Sequence, residues 1–255
     1  MAIHGGRFAV IDGVPAAMNW QVSDDGSLSR GVNSASAMGH FSRRGIAQWN
    51  GGWSCHGAIP AHFPSEIFTF KGYTAPDDDA SGDGLTYNGS AIVDALGIQW
   101  NWAGGQVISH NLGFSGHLAL TATPADDQVF DATFTDPEKI CGTKITTSPD
   151  GTTFTELENV VQAQLNISAA NQAYVNSGTA CGTGRVPGPI DWNLSIVVED
   201  NLAGSGLTKF NDYIWRIYVT ASTYYELKWG MVKSFNGITM DRASQRVISH
   251  NINVE

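Results

Sequence analysis

Charge is scarce in this chain. Asp, Glu, Lys and Arg make up 15% of its 255 residues, against roughly a quarter in ordinary soluble domains. That shortage excludes a coiled coil and a charge-extended disordered protein. Basic residues are scarcest, 14 Lys and Arg against 24 Asp and Glu, giving a formal net charge of −10 and a pI near 5.0. A chain so poor in cations is not built to wrap nucleic acid by neutralising phosphates. Long apolar runs are missing too: Gly, Asn, Ser and Gln interrupt every uncharged stretch, so no segment reads as a membrane-spanning helix. Cysteine is limited to Cys55, Cys141 and Cys181, too few for a disulfide framework. The start, Met1-Ala2-Ile3-His4-Gly5-Gly6, lacks a basic n-region and an apolar h-region. A reducing compartment is the expectation, and the N-x-S/T matches at Asn88, Asn166 and Asn193 are expected to stay unglycosylated.

Glycine, in contrast, is plentiful at 29 residues, about 11% against a usual 7%. The dominant hydrophobic period is two: Phe68 and Phe70, or Tyr213, Trp215, Ile217 and Val219, alternate with their neighbours. Strand-like runs cover 7–12, 16–23, 46–58, 91–102, 106–121, 144–148, 159–168, 190–199, 224–235 and 245–254, rich in β-branched and aromatic residues and bounded by Gly, Asn and Asp. Ser148-Pro149-Asp150-Gly151 reads as a turn, with Pro presetting φ and Gly taking the left-handed position. The expected class is all-β, with room for one short helix per half at 76–88 and 200–210.

The chain also repeats itself. Val107-Ile108-Ser109-His110-Asn111 returns as Val247-Ile248-Ser249-His250-Asn251. Val32-Asn33-Ser34 returns as Val175-Asn176-Ser177, and Trp49-Asn50 as Trp192-Asn193. Val22-Ser23 is echoed by Ile167-Ser168, and Ile98-Gln99-Trp100 by Leu227-Lys228-Trp229, which makes 234–245 an insertion. Ordered matches at nearly constant offset indicate a duplicated domain. The reading is a β-sandwich or barrel at 1–123, a linker or arm at 124–139, and a related domain at 140–255.

Chemistry is hard to find. Gly113-Phe114-Ser115-Gly116-His117 comes near a nucleophile elbow but ends in His, and Ser109-His110 and Ser249-His250 are neighbours on strands, pointing to opposite faces. Cys55, His56 and His62 lack paired metal-ligand spacing. Asp77–Asp83 carries the Asp, Ser and Gly of a calcium loop, but Asn88 stands where the bidentate Glu belongs, so a solvated acidic loop is the reading. Neither a phosphate-binding nor a dinucleotide fingerprint appears. No catalysis, cofactor or metal is expected. The eight tryptophans are read as core plugs, with Trp49/Trp192 and Trp100/Trp229 as equivalent pairs.

A leaderless Met-Ala start, strands rich in Gly, Thr, Ser and Asn, an acidic balance and two β-domains together resemble the major tail tube proteins of long-tailed bacteriophages. That resemblance implies a structural virion protein, made in the host cytoplasm and residing in the phage tail, whose sandwiches close an inner β-barrel with six domains per ring. A duplicated chain then implies homotrimeric rings stacked into a tube. Implied partners are other copies of itself and further tail proteins (tape measure, terminator and distal tail proteins), with DNA only in transit and no membrane. Candidate lumen-facing residues are Asp94, Gln99, Asn101 and Glu226. A capsid decoration protein and a tandem carbohydrate-binding module are the alternatives.

Overall fold

The computed structural model describes residues 10–11, 14, 17–31, 41–57, 59–73, 85–104, 107–124, 140–179, 182–199, 207–241 and 246–255; for 10–11, 25–31, 41–47, 124, 236–241 and 246–250 it describes the backbone alone. Of the proposed arm at 124–139, Pro124 ends a strand and 125–139 lie outside these residues, as do the acidic loop Asp77–Asp83, Val32-Asn33-Ser34 and Cys181.

The protein is all-β. In the first half run β1 (Val10–Ile11), β2 (Ala17–Gly31), β3 (Phe41–His56), β4 (Ile67–Tyr73), β5 (Leu85–Asn101) and β6 (Ser109–Pro124). In the second run β7 (Ile145–Ser148), β8 (Thr155–Glu156), β9 (Val160–Ala169), β10 (Gln172–Tyr174), β11 (Gly184–Val186), β12 (Ile190–Val198), β13 (Asp212–Tyr218), β14 (Tyr224–Asp241) and β15 (Arg246–Val254). A 3-10 turn at Ser177–Thr179 is the helical element among the described residues. The expected short helices are not seen there: 85–88 opens β5 and 207–210 is loop and turn, while 76–84 and 200–206 lie outside the description.

Pairing follows the same order twice. In the first half the sequence of neighbours is β1-β4-β5-β6-β3-β2, in the second β7-β13-β14-β15-β12-β9. Both sets join in one 13-stranded antiparallel sheet because β5 also pairs with β9, Ala95 opposite Ser168 through Asn101 opposite Gln162. Local detail repeats as well. One extra residue bulges each long strand, Asp94 between Val93 and Ala95, and Lys233 between Val232 and Ser234. Beside each bulge a non-glycine residue adopts positive φ, Ser65 at 69° and Phe210 at 66°. The Ser65 N–H donates to Val93 O, and the Phe210 N–H to Val232 O, both at 2.9 Å.

Registers correct two of the sequence matches. Val22 lies opposite Gly51 and Leu165 opposite Leu194, so the counterpart of Val22 is Leu165, not Ile167. Likewise Gln99 opposite Ser109 corresponds to Thr239 opposite Ser249. Residues 234–241 are therefore the equivalent of 95–101, with one extra residue between Asn236 and Thr239 in place of the twelve-residue insertion. Trp100 and Trp229 are not equivalent: Trp100 is fully buried, whereas Trp229 is 59% exposed at positive φ within a register shift of β14 against β13.

The bulges divide each long strand between two layers. Before Asp94, β5 pairs with β4; after it, with β9. The β4 layer folds over β3 and β6, and aromatic rings fill the gap: Trp53 meets Phe68 at 5.5 Å, and Phe114 meets Phe70 at 5.1 Å. Offset and edge-on geometries of this kind suit the ring quadrupoles. Trp49 is buried, with its Nε1 donating to Leu118 O at 3.1 Å. Glycine makes room for it: a Cβ on Gly116 would stand 2.2 Å from Trp49 Nε1, and one on Gly89 2.6 Å from its ring. The Ser148–Gly151 turn joins β7 to β8 with Gly151 at φ +75°, and Asp150 accepts the N–H groups of Thr152 and Thr153, which hold its carboxyl below the usual carboxylate range.

Two outcomes follow from this packing. Trp49→Ala should lower unfolding free energy by about 3–5 kcal/mol, the usual cost of deleting a large buried ring, while Trp229→Ala should shift it by no more than about 0.5 kcal/mol; urea titration followed by circular dichroism separates the two. Burial pushes the Cys55 thiol up to about 12, so the folded state favours its neutral form. That contribution is complete below the ordinary thiol pKa near 9 and is lost as pH rises towards 12. In a Cys181→Ser background, a thiol reagent at pH 8 should modify exposed Cys141 promptly and Cys55 only after denaturant is added.

Candidate functional site: a polar face across both halves

Strand alternation gives the joined sheet two chemically opposite faces. The inner face reads in rows across the strands. One row is Trp53, Leu112, Leu96, Ile167 and Trp192; the next is Cys55, His110, Ile98, Leu165 and Leu194. Most are buried. His110 sits in this row with its Nδ1 2.7 Å from Gly57 O, while Ser109 belongs to the other face, so the pair does not relay a proton.

The opposite face is amide and hydroxyl. One row runs Asn19, Ser54, Asn111, Gly97, Asn166 and Asn193 across β2, β3, β6, β5, β9 and β12. A second runs His56, Ser109, Gln99, Gln164, Ser195 and Asn253, and a third Gln21, Gly52, Gly113, Ala95, Ser168 and Asp191. These rows contain one carboxylate, one imidazole and no lysine or arginine. Neighbours bond across strands, Ser54 Oγ donating to Asn19 Oδ1 at 2.9 Å and Asn166 Nδ2 to Asn193 Oδ1 at 3.0 Å, and along β9 between rows, Gln164 Nε2 donating to Asn166 Oδ1 at 3.1 Å. Close-set amides satisfying one another make a surface that is polar without carrying field.

Where the two halves meet, a polar clamp fixes the β5·β9 register. Asn171 Nδ2 donates to Val93 O at 2.8 Å and to Asp94 Oδ1 at 2.9 Å. Its Oδ1 accepts the Gly188 N–H at 3.1 Å and the Ser65 hydroxyl at 3.2 Å; that hydroxyl also reaches Gly188 O at 2.7 Å. Ser115 Oγ donates to the other Asp94 oxygen.

Of the four lumen candidates, Gln99 and Asn101 lie on the polar face, Gln99 exposed within its rows and Asn101 capping a turn by accepting the Gly104 N–H at 3.0 Å. Asp94 is the bulged residue of the clamp, engaged by Ser115 and Asn171. Glu226 is elsewhere. It lies opposite Arg216 on the β13·β14 pair, where Arg216 Nε donates to it at 2.9 Å and the guanidinium covers Phe154 at 3.6 Å. Sequence reasoning missed the amide rows and Asn171, which only the assembled registers bring together.

The other candidates do not converge. Cys55 is buried while the adjacent His56 is exposed on the other face; His62 Nδ1 lies 3.0 Å from Glu66 and its ring stacks on Phe68. Among the described residues no group of three His, Cys, Asp or Glu could hold a metal ion. Ser115 is spent on Asp94, and His117 Nδ1 accepts the Arg185 N–H at 2.9 Å. Among the same residues no helix is long and apolar enough to cross a membrane. A scan against models of protein families finds no match, and a search of curated proteins finds no relative.

Asn171→Ala should cost about 1–3 kcal/mol, the usual penalty for stranding partly buried partners. Its effect should not add to that of Asp94→Ala, since both remove the same clamp; thermal unfolding of the singles and the double checks this.

Proposed function

We propose that the protein is a structural subunit of a phage tail tube, and that the amide and hydroxyl face lines the bore. The observation that carries this reading is the face itself: a broad, continuous sheet surface shared by both halves, polar yet almost free of charge. Phosphate groups moving along such a surface meet neither cations to grip them nor a strong repelling field. The acidic net charge acts in the same direction at longer range. A repeated unit also favours rings, because each half offers its neighbours similar edges, and closure removes the exposed strand edges that otherwise aggregate. Six units per ring mean three chains, with rings stacking head to tail through heterologous contacts. The wider setting is a phage virion with other tail proteins as partners and DNA as the passenger. A carbohydrate-binding module is less well supported: it needs several tryptophans presented on one face, and four of the eight are buried, with Trp229 the exposed one.

Negative-stain microscopy and mass measurement of the purified protein test this reading. Trimeric rings stacked into hollow tubes are expected; compact monomers at high concentration would count against it, and a tetramer would reject the six-unit version. Gln164→Lys together with Ser195→Lys should leave tubes intact but make them retain DNA at low salt, releasing it as salt rises.

A further inference from the structure

We infer that successive copies of this chain join edge to edge, the far half of β14 against β2 of the next copy, in the register that the chain already uses internally between β5 and β9. The inference deepens the ring reading above by naming its interface.

Within the chain, β5 after its bulge pairs with β9. The duplicated order makes β14 after its bulge the counterpart of that β5 segment, and β2 the counterpart of β9. Both are edges among the described residues: β2 pairs with β3 alone at the end of the sheet, and β14 beyond Val232 pairs with β15 alone. Two complementary antiparallel edges whose counterparts are already joined form a template for strand addition. Transferring the internal register residue by residue sets Ser234 opposite Asp25, Asn236 opposite Ser23, Thr239 opposite Gln21 and Asp241 opposite Asn19. The polar rows then run on from one copy into the next.

The junction between copies differs from the internal one in chemistry. Phe210 stands in the place of Ser65, and counting from the paired residues Gly26 and Ala169 puts Leu28 at the place of Asn171. Lys233 replaces Asp94. An aromatic ring thus stands where the internal clamp has the Ser65 hydroxyl, and Phe210 is 66% exposed at positive φ. The β14 bulge carries Lys233, whose Nζ lies 2.6 Å from both carboxylate oxygens of Glu255, so the residue replacing Asp94 is satisfied within the chain. The internal precedent pairs two different edges, the counterparts of β14 and β2, and not an edge with its own copy, so the heterologous joint is favoured over a closed dimer.

Cysteine pairs test the register. In a Cys141→Ser, Cys181→Ser background, Ser23→Cys with Asn236→Cys should give, on mild oxidation, a ladder of disulfide-linked dimers and trimers on non-reducing gels. Either substitution alone should give no trimer, and Ser23→Cys with Met240→Cys, off register, should give little linkage. Phe210→Glu should weaken assembly at least tenfold by sedimentation with its circular dichroism unchanged. Rings that form without the linkage, or link equally off register, would overturn the joint while leaving the tube reading intact. Linked trimers that never stack into hollow tubes would uphold the joint and remove the tube.

Discussion

The residue inserted at matching places in β5 and β14, Asp94 and Lys233, is the constraint on which this architecture rests. A strand that alternates strictly can serve one layer only, because a shift of one residue turns every side chain to the other face. By spending Asp94 on a bulge, β5 closes the aromatic layer over β3 and β6 with its first half, and pairs with β9 using its second. Lys233 bulges β14 at the matching place, between the half that pairs with β13 and the half that, among the described residues, pairs with β15 alone. Bulges sharpen local twist and re-aim the chain, and each is locked by a left-handed residue in the approach to the next strand. Without them each half would be a flat sheet with no lid over its tryptophans.

Duplication places two versions of this device in one chain, and they have diverged where they must. The internal junction is permanent, so it can use a polar network of Ser65, Asp94, Asn171 and Gly188 that needs accurate geometry to be satisfied. In the proposed joint between copies such groups would stand half-bonded until a partner arrived; there the chain has Phe210 in place of Ser65, and Lys233 already paired with Glu255. In the proposed ring, covalent linkage of two units would halve the number of bodies to be ordered, reducing the entropy lost on closure.

Much of the fold was legible in the sequence because period-two alternation holds over long stretches, as in Ala95–Asn101 of β5 and Leu194–Val198 of β12. The strand readings at 144–148, 159–168 and 190–199 fall on β7, β9 and β12 nearly residue for residue. The equivalence of Trp100 with Trp229 was not sound, because the local likeness of Ile98-Gln99-Trp100 and Leu227-Lys228-Trp229 hides a register shift that puts Trp229 in solvent. Gln99 and Asn101 could be placed on the polar face from alternation alone. Glu226 could not, since it precedes a bulge and belongs to the other layer. The amide rows were out of reach, being a property of six strands in register, with no signature within any one.

The sockets around Trp49 tie distant positions together in a way that bears on how such a chain can drift. Gly89 and Gly116 lie on neighbouring strands, yet both are held side-chain-free by the same indole. A smaller residue at position 49 would relax both glycines at once, and alanine could then enter either without collision. Among related chains, a change at 49 is expected to travel with changes at 89 and 116, so that these three sites vary as a unit while the surface rows beside them vary one amide or hydroxyl at a time.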